Sequence, residues 1–353
     1  MKIFKLIIYP ISLLYGMIMS IRNFLFDLGI LRSKRTPISS IVVGNLKTGG
    51  TGKTPHVEFL ISRLKNQFNI AVLSRGYGRG TSTFIIADES STSKHIGDEP
   101  LQIKNKFNDI IVAVNVNRNE GVKKILKTYP KTNLVILDDA YQHRYLQPNI
   151  NILLTEYSDL YIDDIILPTG NLREFISGAN RADIIIVTKS PELLSPIDKR
   201  LIVDKLNIKS HQTVFFSYTC YGNIHDLNDN SASRYNLKNL KNEKYSVLLF
   251  TGIADATNIN YYIKNNVHDF KSIEFPDHYH FKNHDINRIK NIYDSIENPN
   301  KIILTTEKDA MRLKDESFKD LIVNLPIFYI PINVKIHNDR EEELINKILE
   351  HVR

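Results

Sequence analysis

The sequence predicts an α/β protein: a largely parallel sheet flanked by helices, a second and smaller α/β lobe after it, and an apolar helix before it. Three observations predict this. Short unbroken Val/Ile/Leu runs alternate with amphipathic stretches along most of the chain. A glycine-rich turn, Gly49-Gly50-Thr51-Gly52-Lys53-Thr54, stands between one such run and a helical pattern. Residues 1–35 have a composition unlike anything that follows.

The 353 residues are enough for two domains and a sizeable core. Lysine and arginine number 46 against 39 acidic residues, a formal charge of +7. That balance suits an anionic partner such as a nucleotide, a phosphorylated substrate or an acidic lipid. It is too mild to argue for nucleic acid, and no helix-turn-helix, zinc-finger or RNA-binding signature is present. Cys220 stands alone, which excludes an internal disulfide and a cysteine-built zinc site and fits a reducing compartment.

The first element spans residues 1–35. Leu6 to Ile21 carries no charge, yet it falls short of the roughly 20 residues that cross a bilayer. Lys2, Lys5, Tyr9, Ser12, Gly16, Ser20, Asn23 and Asp27 recur at steps of three or four, so a helix would gather them into one narrow stripe on an apolar cylinder. That shape predicts a helix lying in a membrane surface, against the alternatives of a true span or a core helix. Pro10 predicts a start or kink, and Arg22, off the stripe, would have to snorkel. A signal peptide is disfavoured, since no small-x-small cleavage site precedes Arg22.

A basic linker, Arg32 to Arg35, leads into the sheet. Strands are expected at 41–43, 70–73, 84–87, 110–114, 134–137, 150–154 and 184–187, with helical patterns or loops between them. Runs of this kind read as strands buried on both faces, hence a parallel sheet. A polar, Asn-rich stretch from Gly222 to Lys244 reads as a loop or insertion. Further strands are expected at 247–250, 302–305 and 327–332, and a closing helix from Glu341 to Val352. The expected division is a core over 36–210 and a second lobe over 211–353, with the active site in the cleft between them.

The glycine turn names a ligand. Between a strand and a helix, its backbone N–H groups can converge on phosphates, Lys53 can reach the β and γ phosphates, and Thr54 offers a hydroxyl to Mg²⁺. The phosphate-loop pattern asks for glycine at position 47, where this chain has Lys47. Leu134 to Leu137 followed by Asp138-Asp139 is an apolar strand ending in carboxylates, the second half of a Mg-nucleotide site. Together they predict a P-loop NTPase-type core. No N-K-x-D guanine-reading motif follows, so ATP is expected with Mg²⁺.

Asp98 in Gly97-Asp98-Glu99-Pro100 can be a helix cap or a general base; a base needs a partner, and His278 in Pro276-Asp277-His278 is the candidate. His278 and His280 would point oppositely on a strand and make a poor metal pair. Arg75, Arg118 and Arg173 each follow an apolar run or flank a Gly/Pro turn, where strand ends present side chains to a ligand crevice.

In order along the chain, Val43-Gly44-Asn45 with Gly49 to Pro55, Ser74 to Arg79, Gly97 to Pro100, Asp138 to His143, Pro168 to Glu174, Phe275 to His278 and Thr305 to Ala310 resemble the motifs of the tetraacyldisaccharide 4′-kinases of lipid A biosynthesis. The resemblance implies transfer of the γ-phosphate of ATP to the 4′-hydroxyl of an acylated glucosamine disaccharide 1-phosphate, giving lipid IVA. It implies a peripheral enzyme on the cytoplasmic face of the bacterial inner membrane, with a lipid substrate and no nucleic-acid partner. It assigns Lys47, Thr48, Gly49, Gly50, Thr51, Gly52, Lys53 and Thr54 to the nucleotide loop, and Thr54 with Asp138 or Asp139 to Mg²⁺. Asp98 resembles the catalytic base, paired with His278. Arg75, Arg118, Arg173 and Glu174 resemble site residues facing substrate. Lys47 and Ala140 depart from the family pattern. The residues alone leave two further readings: a soluble phosphate-loop kinase for a small metabolite, and an ATP-hydrolysing membrane scaffold.

Overall fold

The computed structural model describes residues 2–80, 82–227, 237–277, 279–314 and 318–353. Eight runs build most of the first sheet: β1 (Ser39–Asn45), β2 (Ile70–Ser74), β3 (Ile85–Ile86), β4 (Ile111–Val114), β5 (Leu134–Asp138), β6 (Ile150–Glu156), β7 (Ile184–Thr188) and β8 (Thr213–Tyr221). The second lobe holds β9 (Ser246–Thr251), β10 (Asp269–Glu274), β11 (Lys301–Thr306) and β12 (Ile327–Ile330). One residue later, β13 (Ile332–Ile336) returns to the first sheet. The first sheet has the order β13-β8-β7-β6-β1-β5-β2-β4-β3. Its pairs are parallel except at the two edges, where β3 and β13 run antiparallel to their neighbours. In the second sheet the short strand His225–Asp226 edges β12-β11-β9-β10.

Burial explains the unbroken apolar runs. Along β1, Ile41 and Val43 enter one core and Val42 the other. Ile136 and Val135 divide in the same way on β5. A strand covered on both faces has no position for a polar side chain until it reaches the rim. The polar residues accordingly sit at strand ends: Asn45, Ser74, Asp138 and Thr188.

The helices that position the site are α1 (Lys2–Asp27), α2 (Lys53–Leu64), α3 (Asp98–Lys106), α4 (Arg118–Thr128), α5 (Pro196–Leu206), α6 (Thr257–Asn266), α7 (Asn283–Asp294), α8 (Glu307–Leu313) and α9 (Glu341–Val352). Their starts follow from capping. Asn117 accepts from the Glu120 N–H, Ser195 from Asp198 with Pro196 in the first turn, and Thr306 from Asp309.

The expected division at residue 210 does not follow the sheets. β8 lengthens the first sheet beyond that point, β13 pairs with it, and α9 packs Leu344 and Ile348 into the same core as Ile41. The sheets separate at Gly222 and Pro331. The apolar run expected as one strand over 327–332 is two strands in different sheets, split by Pro331. Of the polar stretch 222–244, residues 228–236 lie outside the described residues; the rest includes His225–Asp226 and a helix, Leu237–Asn242.

α1 is one helix with Pro10 inside it, not a helix that starts there. Ser12, Gly16 and Asn23 of its polar stripe face the protein. Ser12 is fully buried, with its hydroxyl 2.6 Å from that of Thr169. A side chain at Gly16 would meet the Phe175 ring at 2.5 Å. Asn23 donates to Glu174 at 2.7 Å, and Arg144 reaches Asp27 at 2.6 Å. Arg22 does not snorkel: it lies over the Phe26 ring and donates to the Gln142 carbonyl at 3.1 Å. The opposite face exposes Ile11, Leu14, Met17, Ile18, Ile21 and Phe24, each more than half accessible. The segment Ile8–Asp27 is long and apolar enough to cross a membrane.

Candidate functional site

The glycine loop joins β1 to α2. Gly49 and Gly52 take positive φ, +110° and +83°, a conformation that side chains resist. Three polar side chains hold the loop. Asn45 donates to the Thr51 hydroxyl at 2.9 Å, Thr188 donates to the Thr51 carbonyl at 2.9 Å, and His56 meets the Gly52 carbonyl at 2.7 Å. Thr48 to Thr54 line a cavity of about 1060 Å³. Lys47 does not. Its buried ammonium turns away to Asp159 at 2.5 Å and Asp164 at 2.7 Å. A lysine at this position braces the loop's entry, so the assignment of Lys47 to the nucleotide loop does not extend to its side chain.

Asp138 and Asp139 have separate roles. Asp138 ends β5 with no exposure, and neither carboxylate oxygen has a hydrogen-bond partner among the described residues. Burial, with the Glu99 and Asp139 charges, pushes its carboxyl up to about 7. Asp139 follows with φ +48°. Burial opposes its charge, but Lys53 and Arg173 outweigh that and hold the carboxyl below its usual range. Arg173 donates to it at 2.7 Å and Lys53 stands 3.8 Å away. A buried, unpartnered carboxylate beside the loop that carries Thr54 suits Mg²⁺, which takes one or two protein oxygens and completes its shell with water and phosphate. Among the described residues no group of three or more His, Cys, Asp and Glu could hold an ion, which is consistent with so sparse a donor set.

Three guanidiniums, those of Arg22, Arg75 and Arg118, line the cavity, and so does His143. Burial lowers Arg118 to about 10, and burial with the Arg118, Arg22 and Arg75 charges lowers His143 to about 4. Arg118 is fixed by the carbonyls of Asn115 and Val116, at 3.1 and 2.9 Å. A cluster of like charges held this close by backbone acceptors is a binding surface for an anion.

Glu174 is placed differently from the expectation. It is buried and accepts from Asn23, Gln142 and Arg181, at 2.7, 3.1 and 2.7 Å. Its carboxylate anchors α1 to the core rather than facing substrate. Asp98 opens α3 just after Gly97 (φ +94°), where a Cβ would lie 2.9 Å from the Tyr77 carbonyl. Its Oδ2 accepts from Arg312 Nε at 2.8 Å and Nη2 at 2.7 Å. The neighbouring Glu99 lines the cavity. His278 lies outside the described residues.

Sequence reasoning missed Glu99, His143, Gln142, Arg312 and His56. The first three sit inside motifs already singled out, one or more positions from the residue chosen. Arg312 carried no signal, because Asp98 and the Gly252 carbonyl, which it joins, are distant in sequence.

The lobes also meet through a buried ionic cluster. Lys106 on α3 lies 2.7 Å from Glu58 on α2 and 3.4 Å from Glu307 on α8. Burial and the Glu58 charge push Glu307 up to about 7, against an ordinary 4.5. The folded state therefore keeps a proton that the unfolded chain releases, and this stability is full below pH 4.5 and lost as pH rises through 7. Glu307→Gln should match the parent in urea unfolding near pH 4.5. At pH 8 it should be more stable, by on the order of 1–3 kcal/mol.

Residues 4–353 match the family described as tetraacyldisaccharide-1-P 4′-kinase. The tetraacyldisaccharide 4′-kinase of Parabacteroides distasonis is 42% identical over 351 residues, covering 99% of this chain and 95% of the relative. That of Flavobacterium johnsoniae is 45% identical over 327 residues, 93% of each. Among solved structures, LpxK from Aquifex aeolicus in complex with ATP superposes with a TM-score of 0.75 at 27% identity, covering 99% of both chains.

Proposed function

The chain belongs to the tetraacyldisaccharide-1-P 4′-kinase family, and from that premise we propose how its cleft moves the γ-phosphate of ATP onto the 4′-hydroxyl of a tetraacylated disaccharide 1-phosphate in lipid A biosynthesis. The observation that carries the reading is the buried, unpartnered Asp138 carboxylate at the end of β5, within the field of Lys53 on the glycine loop and of Arg118.

Backbone N–H groups of residues 48–54 cradle the phosphates, and Lys53, held by Asp139, offsets charge on the transferring group. Arg173 grips Asp139 from the other side and fixes it. Thr54 and Asp138 would hold Mg²⁺, which would supply positive charge against the phosphates. Asp98 accepts the hydroxyl proton, steadied by Arg312, with His278 as its partner. Arg22, Arg75, Arg118 and His143 receive the anionic end of the sugar lipid. The acyl chains leave along α1, whose outward apolar face rests in the cytoplasmic surface of the inner membrane.

The deciding measurement is transfer of label from γ-labelled ATP to the extracted disaccharide lipid. Labelled lipid that requires both Mg²⁺ and intact Lys53 is the expected result. Release of labelled inorganic phosphate with no labelled lipid would overturn the reading in favour of an ATP-hydrolysing scaffold.

The membrane role has its own test. Leu14 and Ile18 are 54% and 56% exposed and face away from the protein. Leu14→Glu with Ile18→Glu should leave thermal unfolding in detergent-free buffer unchanged. Co-sedimentation with anionic vesicles should fall more than about tenfold, since each apolar side chain withdrawn from lipid forfeits about 1.5–3 kcal/mol.

A further inference from the structure

His56 lines the cavity and touches the glycine loop. It lies in the first turn of α2, 3% exposed. Its Nδ1 is 2.7 Å from the Gly52 carbonyl and its Nε2 is 2.9 Å from the Ser217 hydroxyl on β8. A carbonyl can only accept, so Nδ1 carries the hydrogen. With the hydrogen on Nδ1, Nε2 of the buried ring offers a lone pair and the Ser217 hydroxyl donates to it. The relay runs from the Ser217 hydroxyl through the ring to the Gly52 carbonyl. The backbone N–H of His56 also meets that carbonyl, at a longer 3.3 Å.

The peptide joining Gly52 to Lys53 is planar and trans, so its N–H points opposite to its carbonyl. Whatever holds the carbonyl therefore aims the Lys53 N–H. Gly52 sits at φ +83° with no side chain of its own to steady it.

We propose that His56 is a positioning residue of the phosphate-transfer reaction. Ser217 fixes its tautomer, its Nδ1–H holds the Gly52 carbonyl inside the protein, and the Lys53 N–H is thereby presented to the nucleotide phosphates. The proposal rests on the reading that this loop binds ATP. Binding of ADP to the unaltered enzyme tests that reading separately, by calorimetry, before any variant is compared.

Two replacements separate a positional role from bulk. Asparagine places an N–H where Nδ1 stands; glutamine reaches only toward Nε2. His56→Asn should keep kcat within about threefold, whereas His56→Gln should lose about tenfold in kcat and about threefold in ADP affinity, with KM for the lipid unchanged. Ser217→Ala should lower kcat about threefold in the parent and not at all in the His56→Asn background, where the relay is already cut. Equal losses in the asparagine and glutamine variants, or the same Ser217→Ala effect in both backgrounds, would overturn the proposal. Should the variants misfold, the ¹⁵N signals of His56 in the unaltered enzyme decide: an Nδ1–H tautomer supports it and an Nε2–H tautomer sinks it.

Discussion

Asp98→Asn should lower turnover on the disaccharide lipid by about 10³-fold, the middle of the range for loss of a general base, while ADP binding changes less than about threefold. The structure makes this substitution a clean one. Asp98 occupies the first turn of α3 at a position dictated by Gly97, and both Arg312 bonds go to Oδ2. Asparagine can still present a carbonyl oxygen to Arg312, so that hydrogen bond survives while the negative charge and the ability to take a proton are lost. Steady-state kinetics in mixed micelles, with ADP calorimetry on the same preparation, checks it. Turnover within about tenfold of the parent would move the base elsewhere, with Glu99 the next candidate because it lines the cavity.

Arg312→Ala should be the most damaging single change to stability outside the apolar cores. Arg312 is 4% exposed and satisfies groups from three segments: Asp98 on α3, the Gly252 carbonyl at 3.0 Å after β9, and Asp309 at 2.7 Å on its own helix. Burial alone raises the Asp309 carboxyl, and Arg312 is the chief charge opposing that. Removing the guanidinium takes an opposing charge from two carboxylates, at a cost of about 3–5 kcal/mol. Urea unfolding should show it as a lower midpoint with an unchanged slope. Arg312→Lys should recover only part, because one ammonium cannot reach all three acceptors in the geometry of a fork. A loss under about 1 kcal/mol in the alanine variant would mean that water replaces the guanidinium and the lobes are not held here.

Much of the fold was legible because burial on both strand faces leaves a plain signature. Ile41-Val42-Val43 and Leu134 to Leu137 could be read at once, and the loop and the Asp138-Asp139 pair followed from their positions at strand ends. What failed did so for physical reasons. The strand Asp269–Glu274 has mostly exposed or half-exposed side chains and so lacks an apolar run. Thr213–Tyr221 mixes hydroxyls with aromatics, because its later half lines the cavity. Nothing local told that Glu174 would be consumed by α1, or that Lys47 would turn to Asp159 and Asp164. Both depend on groups more than a hundred residues distant in the chain. The inverted α1 was half legible: the stripe was visible, but a narrow polar stripe reads the same whether it faces water or protein.

The return of β13 to the first sheet bears on how the protein comes into being. During synthesis, α1 and eight of the nine strands emerge first, but the outer edge of β8 stays unpaired until Ile332–Ile336 has left the ribosome. The apolar face that α9 covers stays open later still. An unpaired edge beside an uncovered core is where a nascent chain aggregates. The second lobe must be made before the first can close, so the first lobe cannot complete its sheet by itself. A ribosome stalled anywhere before the last twenty residues leaves a chain with a greasy outer helix and an open sheet.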